Sequence, residues 1–217
     1  MQSQIGERAI VHVVDDDVSI REALEGLFGS IGLVTQTYSA AKEFLAASVI
    51  DAPGCIVADV RLPDMNGLDF QARLTQRDVR LPVVMMTGHG DITMSVRAMK
   101  GGAVDFLAKP FHDQHMLDTV LAAIERDRQR RAVEGRVSQL QHRFATLSSR
   151  ERQVMLLVAS GKMNKQAAGD LGISEVTVKI HRGAAMRKMG ARSLADLVKM
   201  AEVIEHKSAR SKSSIFV

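Results

Sequence analysis

The chain has a single cysteine and no long apolar segment, and these two shortages exclude several classes of protein. Cys55 is the one cysteine in 217 residues, which excludes an intrachain disulfide and fits a reducing compartment. No apolar run approaches the roughly 20 residues that a bilayer-spanning helix needs. The first residues, Met1–Gln4, are not followed by the basic and apolar segments of a secretory signal. We therefore expect a cytoplasmic protein with no membrane attachment.

Charge is distributed unevenly along the chain. Residues 1–125 carry 10 Lys and Arg against 17 Asp and Glu, a net charge of −7. Residues 126–217 carry 19 against 8, a net charge of +11, which gives the whole chain +4. An acidic module joined to a basic one is typical of a cation site linked to a region that binds a polyanion. A basic face that only contacts water would give the same net charge. Only the sequence motifs can therefore distinguish it from a region that binds a polyanion.

The first 125 residues alternate apolar runs with amphipathic stretches, separated by turn-forming glycines and prolines. The pattern predicts strands near 9–14, 33–37, 54–58, 82–86 and 103–108, and helices near 18–30, 40–48, 66–77, 92–100 and from 113 onward. Strands that alternate with helices imply right-handed crossovers and a parallel sheet. We therefore predict an α/β domain over 1–125, with a doubly wound, flavodoxin-like, five-stranded parallel sheet.

A linker helix is predicted over 126–146. Its start, Glu125–Arg131, is too polar to be expected in a core, but apolar residues then recur every three or four positions. They are Val133, Val137, Leu140, Phe144 and Leu147. Such spacing places them along one helix face. Two interpretations stay open: the helix packs on its own domain, or it packs against a second copy or docks the C-terminal domain.

The pattern from Leu147 onward is wholly helical. Ser148 and Glu151 form a capping-box sequence that marks a helix start. Helices are predicted near 149–160, 163–171, 174–189 and 193–204. Gly172 permits a tight turn between two of them and Ser174 caps the second, which is typical of a helix-turn-helix. We predict an all-α helix-turn-helix domain over 147–206 and a flexible tail over 207–217.

Polar residues follow four of the predicted strands. Asp15 and Asp16 follow the first strand, Asp59 the third, Thr87 the fourth and Lys109 the fifth. The carboxyl ends of parallel strands meet at one sheet edge, where ligands bind. Crowded carboxylates favour a cation, and Mg²⁺ prefers oxygen ligands. The sequence therefore predicts a site for Mg²⁺ and a phosphoryl group, with Asp59 as nucleophile and with Thr87 and Lys109 contacting phosphoryl oxygens.

These motifs, in this order, resemble the receiver domain of two-component response regulators over roughly 8–125. The matching segments are Val13–Asp17, Asp59 with Pro63–Gly67, Thr87–Gly90 and Phe106–Pro110. The resemblance implies that Asp59 is the phospho-acceptor and that Asp15 and Asp16 are the acidic metal-site pair. It also implies that the backbone oxygen of Arg61 is a ligand of Mg²⁺.

The same resemblance assigns further roles. Thr87 and Phe106 would form the switch pair, in which the hydroxyl moves toward the phosphoryl group and the ring turns inward. The Lys109–Pro110 bond would be cis, and Asp17 would start a helix rather than bind metal. The phosphoryl donor would be a phosphohistidine on a sensor histidine kinase.

Residues 147–204 resemble the LuxR-type helix-turn-helix of the FixJ/NarL class of regulators. The matching segments are Leu147–Val154, Gly161–Lys165, Leu171–Ser174, Thr177–Arg182 and Met186–Met189. The resemblance implies base-edge contacts for Lys179 and Ile180 and phosphate contacts for Lys165 and Arg182. Thr177 and Arg187 complete the predicted DNA-binding set. The residues expected in the core rather than on DNA are Val176, Val178, Ala185 and Met189. Gly183 departs from relatives that carry a base-contacting lysine there.

The combined reading is a phosphorylation-dependent, DNA-binding transcriptional regulator. Phosphorylation of Asp59 would favour a homodimer formed through residues 91–108, and the dimer would bind double-stranded promoter DNA. RNA polymerase is a further partner that the resemblance allows. The protein would not be an enzyme beyond catalysing its own phosphorylation and slow dephosphorylation.

Two other functions and one regulatory hypothesis stay open. A phosphatase or phosphotransferase acting on external substrates would need an acid–base residue two positions after Asp59, where Arg61 stands. A regulator could also act through protein contacts without phosphorylation. The opposite charges of the two halves suggest that the acidic module masks the DNA-binding face, and a fragment lacking that module should then bind DNA better than the unphosphorylated chain.

Overall fold

The computed structural model describes residues 8–48, 50–88 and 92–213. Its contacts divide the chain into two compact units, Met1–Arg131 and Ala132–Val217. The division falls six residues beyond the end predicted for the α/β domain, inside the predicted linker helix. The linker is therefore not a separate compact piece, and its predicted bounds stay predictions.

The first unit is built on a parallel sheet with the strand order β2-β1-β3-β4-β5. Its strands are β1 (Ile10–Val14), β2 (Val34–Tyr38), β3 (Gly54–Asp59), β4 (Val83–Thr87) and β5 (Asp105–Ala108). Every residue of β1, β3 and β4 is buried. Burial on both faces explains why these strands are nearly continuous apolar runs in the sequence.

Helices cover both faces of the sheet. They are α1 (Val18–Ser30), α2 (Ala41–Ala46), α3 (Gly67–Gln76), α4 (Ile92–Lys100) and α5 (Asp113–Ala145). Phe28 of α1 and Met116 of α5 belong to one buried cluster, while Phe44 of α2 and Phe70 of α3 belong to the other. The doubly wound α/β fold predicted from the sequence is therefore confirmed.

Short polar side chains begin two of these helices. The Asp17 carboxylate accepts a hydrogen bond from the Ser19 amide at 2.8 Å, and the Asn66 side chain accepts one from the Leu68 amide at 2.9 Å. Each bond satisfies an amide that has no partner inside the first turn. The prediction that Asp17 starts a helix is confirmed.

The second unit is helical. Its helices are α6 (Ser149–Ala159), α7 (Asn164–Leu171), α8 (Glu175–Met189) and α9 (Leu194–Ser213). Both hydrogen bonds of the Ser148–Glu151 capping box are present. The buried side chains of Met155, Met189 and Leu197 join α6, α8 and α9 in one core. Helix α9 continues through residues predicted to form a flexible tail, and 214–217 lie outside the described residues.

The apolar stripe of the predicted linker helix has different surroundings at its two ends. All of it up to Phe144 lies on α5, a single helix of 33 residues. Leu140 and Phe144 pack with Leu147 in the core of the second unit. Val133, at the start of the stripe, is 58% exposed. The end of the stripe is therefore part of the helical core, whereas pairing with a second copy stays a prediction.

The structure shows the surroundings of the single cysteine and the length and polarity of the helices. Cys55 is fully buried in β3, and burial, helped by the negative charge of Asp127, raises the pKa of its thiol far above the ordinary value. It is a core residue and not a nucleophile. No helix in the described part of the chain is long and apolar enough to cross a membrane.

A buried histidine lies inside an aromatic cluster on β1. The ring of His12 is centred 6.0 Å from that of Tyr38 and 5.4 Å from that of Phe44, and its Nδ1 lies 3.3 Å from the Tyr38 hydroxyl. Burial lowers the pKa of His12 from 6.5 to about 4. The folded protein therefore keeps this imidazole neutral under mildly acidic conditions.

This shift predicts a pH dependence of stability. Between pH 6.5 and about 4 the unfolded chain binds a proton on His12 that the folded chain does not bind, so the free energy of unfolding falls as the pH falls through this window. His12→Phe should remove up to about 3 kcal/mol of that fall. Urea unfolding of wild type and His12→Phe between pH 6.5 and about 4 measures this difference in the free energy of unfolding. Equal slopes for His12→Phe and wild type would contradict the assignment.

Candidate functional site

The sheet brings the predicted receiver residues to one edge. Asp59 and Thr87 are the last residues of β3 and β4, while Asp15 and Lys109 directly follow β1 and β5. The strand order changes direction between β1 and β3, and this is where open α/β sheets form a ligand-binding crevice. Asp15, Asp59 and Thr87 are all buried.

One cation joins the two buried carboxylates. Lys109 Nζ lies 2.6 Å from Asp15 Oδ2 and 2.6 Å from Asp59 Oδ2. Both oxygens therefore point at a single position between β1 and β3. Charge-assisted hydrogen bonds of this length are strong, and they offset the cost of burying two like charges side by side.

The second oxygen of each carboxylate is held by the backbone. The Asp17 amide donates to Asp15 Oδ1 at 3.0 Å, and the Arg61 amide donates to Asp59 Oδ1 at 2.8 Å. Arg21 of α1 donates to the carbonyl oxygens of Asp15 and Asp16 at 2.7 and 3.0 Å. These bonds fix the orientation of the carboxylates before any ligand arrives.

Burial and pairing act in opposite directions on the protonation of this site. Burial raises the pKa of Asp15, and the hydrogen bond from Lys109 only partly lowers it. Burial likewise opposes the charge of Lys109, but its hydrogen bonds to Asp15 and Asp59 raise its pKa overall. A positive charge beside Asp15 therefore stabilises the ionised site.

The predicted switch residues lie on adjacent strands. Thr87 ends β4, and its carbonyl accepts a hydrogen bond from the Lys109 amide at 2.7 Å. Phe106 of β5 lies beside Met85 of β4 and packs, half-buried, against the core under α2 and α3. The Lys109–Pro110 bond is cis, as the resemblance implies. His89 and Gly90, which belong to the quoted motif, lie outside the described residues.

The oxygen donors at this edge fit a hydrated divalent cation. Asp15 and Asp59 already place one oxygen each on a shared cation, and Asp16 is exposed beside them. Across the described ranges, no three His, Cys, Asp or Glu residues form a group that could hold a metal ion by themselves. Water and a backbone oxygen such as that of Arg61 would have to complete the ligand set, which suits Mg²⁺ because it keeps several waters.

A second candidate site lies in the helical unit. Helix α7 ends at Gly172, whose φ of 64° is the left-handed conformation that glycine adopts without strain. Two residues later the Ser174 hydroxyl accepts the Thr177 amide at 3.1 Å and begins α8. This pair of helices with its short turn is the predicted helix-turn-helix.

The predicted DNA-contacting side chains differ in their exposure and in the contacts that they already make. Lys165, Lys179, Ile180 and Arg187 are exposed, with Ile180 at 64%. Thr177 and Arg182 are half-buried and already have partners within the domain. Thr177 Oγ1 lies 2.8 Å from the Ser174 hydroxyl, and Arg182 donates to the Asn164 side chain at 3.2 Å. Lys179 also has a partner, since its Nζ lies 3.4 Å from Glu175 Oε1. The exposed side chains are the part of the set that is accessible to another molecule.

Two expectations from the sequence are wrong. Val176 was expected in the core but is 65% exposed, because it lies one helical turn before Ile180 on the same face. The segment Glu125–Arg131 was judged too polar for a core, yet Asp127 is fully buried.

Two residues with defined roles were missed. Arg21 fixes the loop that carries Asp15 and Asp16, and nothing in its sequence spacing identifies it. Asp127 could have been found, because Arg130 and Arg131 follow it at the three- and four-residue spacings of helical ion pairs.

Two family models match the chain. The response regulator receiver domain matches residues 11–121, and the family described as bacterial regulatory proteins, luxR family, matches residues 145–201. The first covers the α/β unit and the second covers the helix-turn-helix.

Whole-chain relatives show the same combination. The chain is 53% identical to nodulation protein W of Bradyrhizobium diazoefficiens, over 93% of this chain and 89% of that protein. It is 45% identical to transcriptional regulatory protein FixJ of Azorhizobium caulinodans, over 88% of this chain and 90% of that protein. The solved response regulator StyR is similar with a TM-score of 0.82 and 45% identity, over 90% of this chain and 98% of StyR.

The shared ion pair predicts the effect of removing Lys109. Lys109→Met leaves two buried carboxylates without their counter-charge, so it should lower the free energy of unfolding by about 3 kcal/mol near neutral pH. The loss should shrink at about pH 5, because Asp15, whose pKa is raised by burial, can then be protonated. Urea unfolding at both pH values measures it, with the exposed Lys100→Met as control. A loss equal to that of the control would contradict the shared ion pair.

Proposed function

The chain belongs to the two-component response regulators of the FixJ/NarL class, which join a receiver domain to a LuxR-type DNA-binding domain, and on that basis we propose that Asp59 is its phospho-acceptor. The donor is a phosphohistidine on a sensor histidine kinase. The carrying observation is the convergence of Lys109 Nζ on Asp15 and Asp59 at 2.6 Å. This contact supports the proposal because it brings the Asp59 carboxylate together with a second carboxylate and a cation.

The transfer follows from the charges at this edge. An oxygen of Asp59 attacks the phosphorus atom, the phosphorus–nitrogen bond to the donor histidine breaks, and the imidazole leaves with the bonding electrons and takes up a proton. The product is an acyl phosphate on Asp59. Lys109 is free to turn from the carboxylate to a phosphoryl oxygen, which keeps its charge paired throughout.

Mg²⁺ is the proposed cofactor, held by Asp15, Asp16, Asp59 and the backbone oxygen of Arg61. When bound, it neutralises the charge that the carboxylates and the phosphoryl group bring together. The raised pKa of Asp15 supports this assignment, since the ionised form gains from a neighbouring cation.

Signalling begins with Thr87 and Phe106. In the proposed switch, the Thr87 hydroxyl hydrogen-bonds the new phosphoryl group, and the half-buried Phe106 ring turns further into the core. The phosphoryl group brings roughly −1.5 to −2 charges, enough to reorganise such a local network. Dimerisation is proposed through residues 91–108, of which Asp91 lies outside the described residues and Val96 and Met99 are exposed on α4.

The output is binding to double-stranded promoter DNA. Helix α8 enters the major groove, where Lys179 and Ile180 meet base edges, while Lys165, Arg182 and Arg187 meet phosphates and Thr177 supports the helix start. RNA polymerase is a further proposed partner. Because the chromosome is the target, we place the protein in the cytoplasm.

Turnover of an external substrate has less support. A phosphatase of this kind needs an acid–base side chain two positions after the nucleophile, and Arg61 cannot give up a proton at neutral pH. We therefore propose that the chemistry stops at phosphorylation and slow dephosphorylation of the protein itself.

Asp59 can be tested by intact mass. After incubation with Mg²⁺ and acetyl phosphate, wild type should gain one phosphoryl group and Asp59→Asn should gain none. The exposed Asp69→Asn makes the same charge change on α3 and should be phosphorylated like wild type. An absent adduct on wild type, with a competent control receiver, would leave a regulator that works without phosphorylation.

DNA contacts can be tested by salt dependence. Using a duplex selected by the phosphorylated protein from a random pool, Lys165→Ala and Arg187→Ala should each weaken binding and lower the slope of log K against log salt by about 1. Ile180→Ala should instead relax sequence preference at one base pair. Lys199→Ala, an exposed lysine on α9, is the control. Slopes equal to that control would remove Lys165 and Arg187 from the contact set.

A further inference from the structure

A second set of charged residues, grouped around one buried carboxylate, lies at the opposite end of β3 from Asp59. The Asp127 carboxylate is fully buried; its Oδ2 accepts the Gly54 amide at 3.2 Å and Arg131 Nε at 2.7 Å, and its Oδ1 accepts Arg130 Nε at 3.1 Å. Arg131 also pairs with Asp51. We call these five residues the α5 clasp.

The clasp combines ion pairs along α5 with a contact from α5 to a strand. A buried carboxylate is tolerated only when its charge and lone pairs are satisfied. Two guanidinium groups from the next turn of α5 satisfy Asp127 in part. The remaining donor, Gly54, is 73 residues away in the chain. Asp127 therefore fixes α5 to the start of β3.

The start of β3 has little room to move away from the clasp. A Cβ atom on Gly54 would lie 2.2 Å from the Ile10 carbonyl oxygen, so only glycine allows β1 and β3 to approach this closely. The Ile10 amide donates to the Pro53 carbonyl at 2.9 Å. Since Asp127 accepts the first amide of the strand, a shift of β3 must also shift Asp127 or break that bond.

Strand β3 links the clasp to Asp59. It runs from Gly54 to Asp59 between β1 and β4, and all six of its residues are buried. At about 3.3 Å per residue, the two ends are roughly 16 Å apart. A strand that is paired on both edges and packed on both faces moves as one body, so a change at Asp59 reaches Gly54.

Helix α5 continues past the clasp without interruption. Arg131 is the last residue of the first compact unit, and the same helix runs on to Ala145. Its later turns supply Leu140 and Phe144 to the core of the second unit. The clasp therefore lies on the final turn of α5 that belongs to the receiver.

We propose that the α5 clasp is a positioning device that ties the helix leaving the receiver to the strand carrying Asp59. Through it, the phosphorylation state of Asp59 is passed along β3 and α5 to the DNA-binding domain. The inference rests on the proposed function, because it needs Asp59 to be the phospho-acceptor.

The first test is hydrogen exchange on the unphosphorylated full-length chain. Arg131→Gln removes one guanidinium group and leaves Asp127 with Arg130 and Gly54, so the chain should still fold. The Gly54 amide and the amides of 127–131 should exchange at least about tenfold faster than in wild type. Arg128→Gln, an exposed arginine on the same helix, should change nothing. Wild-type exchange rates in Arg131→Gln would overturn the clasp.

The second test separates positioning from stability. Arg131→Gln should accept the phosphoryl group to the same extent as wild type and bind DNA equally well before phosphorylation. The ratio of DNA affinities with and without the phosphoryl group should fall at least about fivefold. Asp127→Asn should lower the ratio in the same direction. Restoring the charge with Arg131→Lys should recover part of it.

The results that would overturn the role of the clasp differ from those that would overturn the proposed function. A normal adduct and an unchanged affinity ratio in Arg131→Gln would reduce the clasp to a structural feature and overturn the inference alone. No adduct on wild type would overturn the assignment of Asp59 and the inference with it. If Asp127→Asn does not fold, Arg131→Gln decides the question alone.

Discussion

The receiver site depends on one interaction, the Lys109 ammonium group held between Asp15 and Asp59. Parallel strands necessarily collect their carboxyl ends at one edge, and here that edge collects like charges in a buried crevice. The ammonium group makes this arrangement stable in the absence of any ligand. It also means that the proposed nucleophile Asp59, its acidic neighbour and their counter-charge are positioned together, so that the proposed phosphorylation would replace one set of ionic contacts with another.

The fold and the receiver site were predictable because their signals are local. Strands buried on both faces appear as short apolar runs, and the residue that ends each run must lie at the shared edge. Asp17, Ser148 and Ser174 start helices through hydrogen bonds to residues two or three positions away. In each case the interacting groups are neighbours in sequence or are aligned by strand direction alone.

The remaining features depend on contacts that spacing does not reveal. The spacing of Asp127 to Arg130 and Arg131 indicates their ion pairs, but it does not reveal the contact with Gly54, which belongs to a distant strand. The expectation for Val176 was wrong because the apolar residues of α8 are divided between two helix faces, and only packing against α6 and α7 sets that division. Long-range pairs and helix rotation are the parts of this protein that the sequence pattern does not specify.

The exposed apolar side chains on and near the helix-turn-helix have a consequence for the free protein. Met163, Val176 and Ile180 are each about two-thirds exposed on a domain of strong positive charge. Without DNA, mutual repulsion between copies is what keeps such patches apart. Added salt screens that repulsion while it also weakens attraction to phosphates. We therefore expect the concentrated protein to self-associate most readily at the salt concentrations that weaken its proposed binding to DNA.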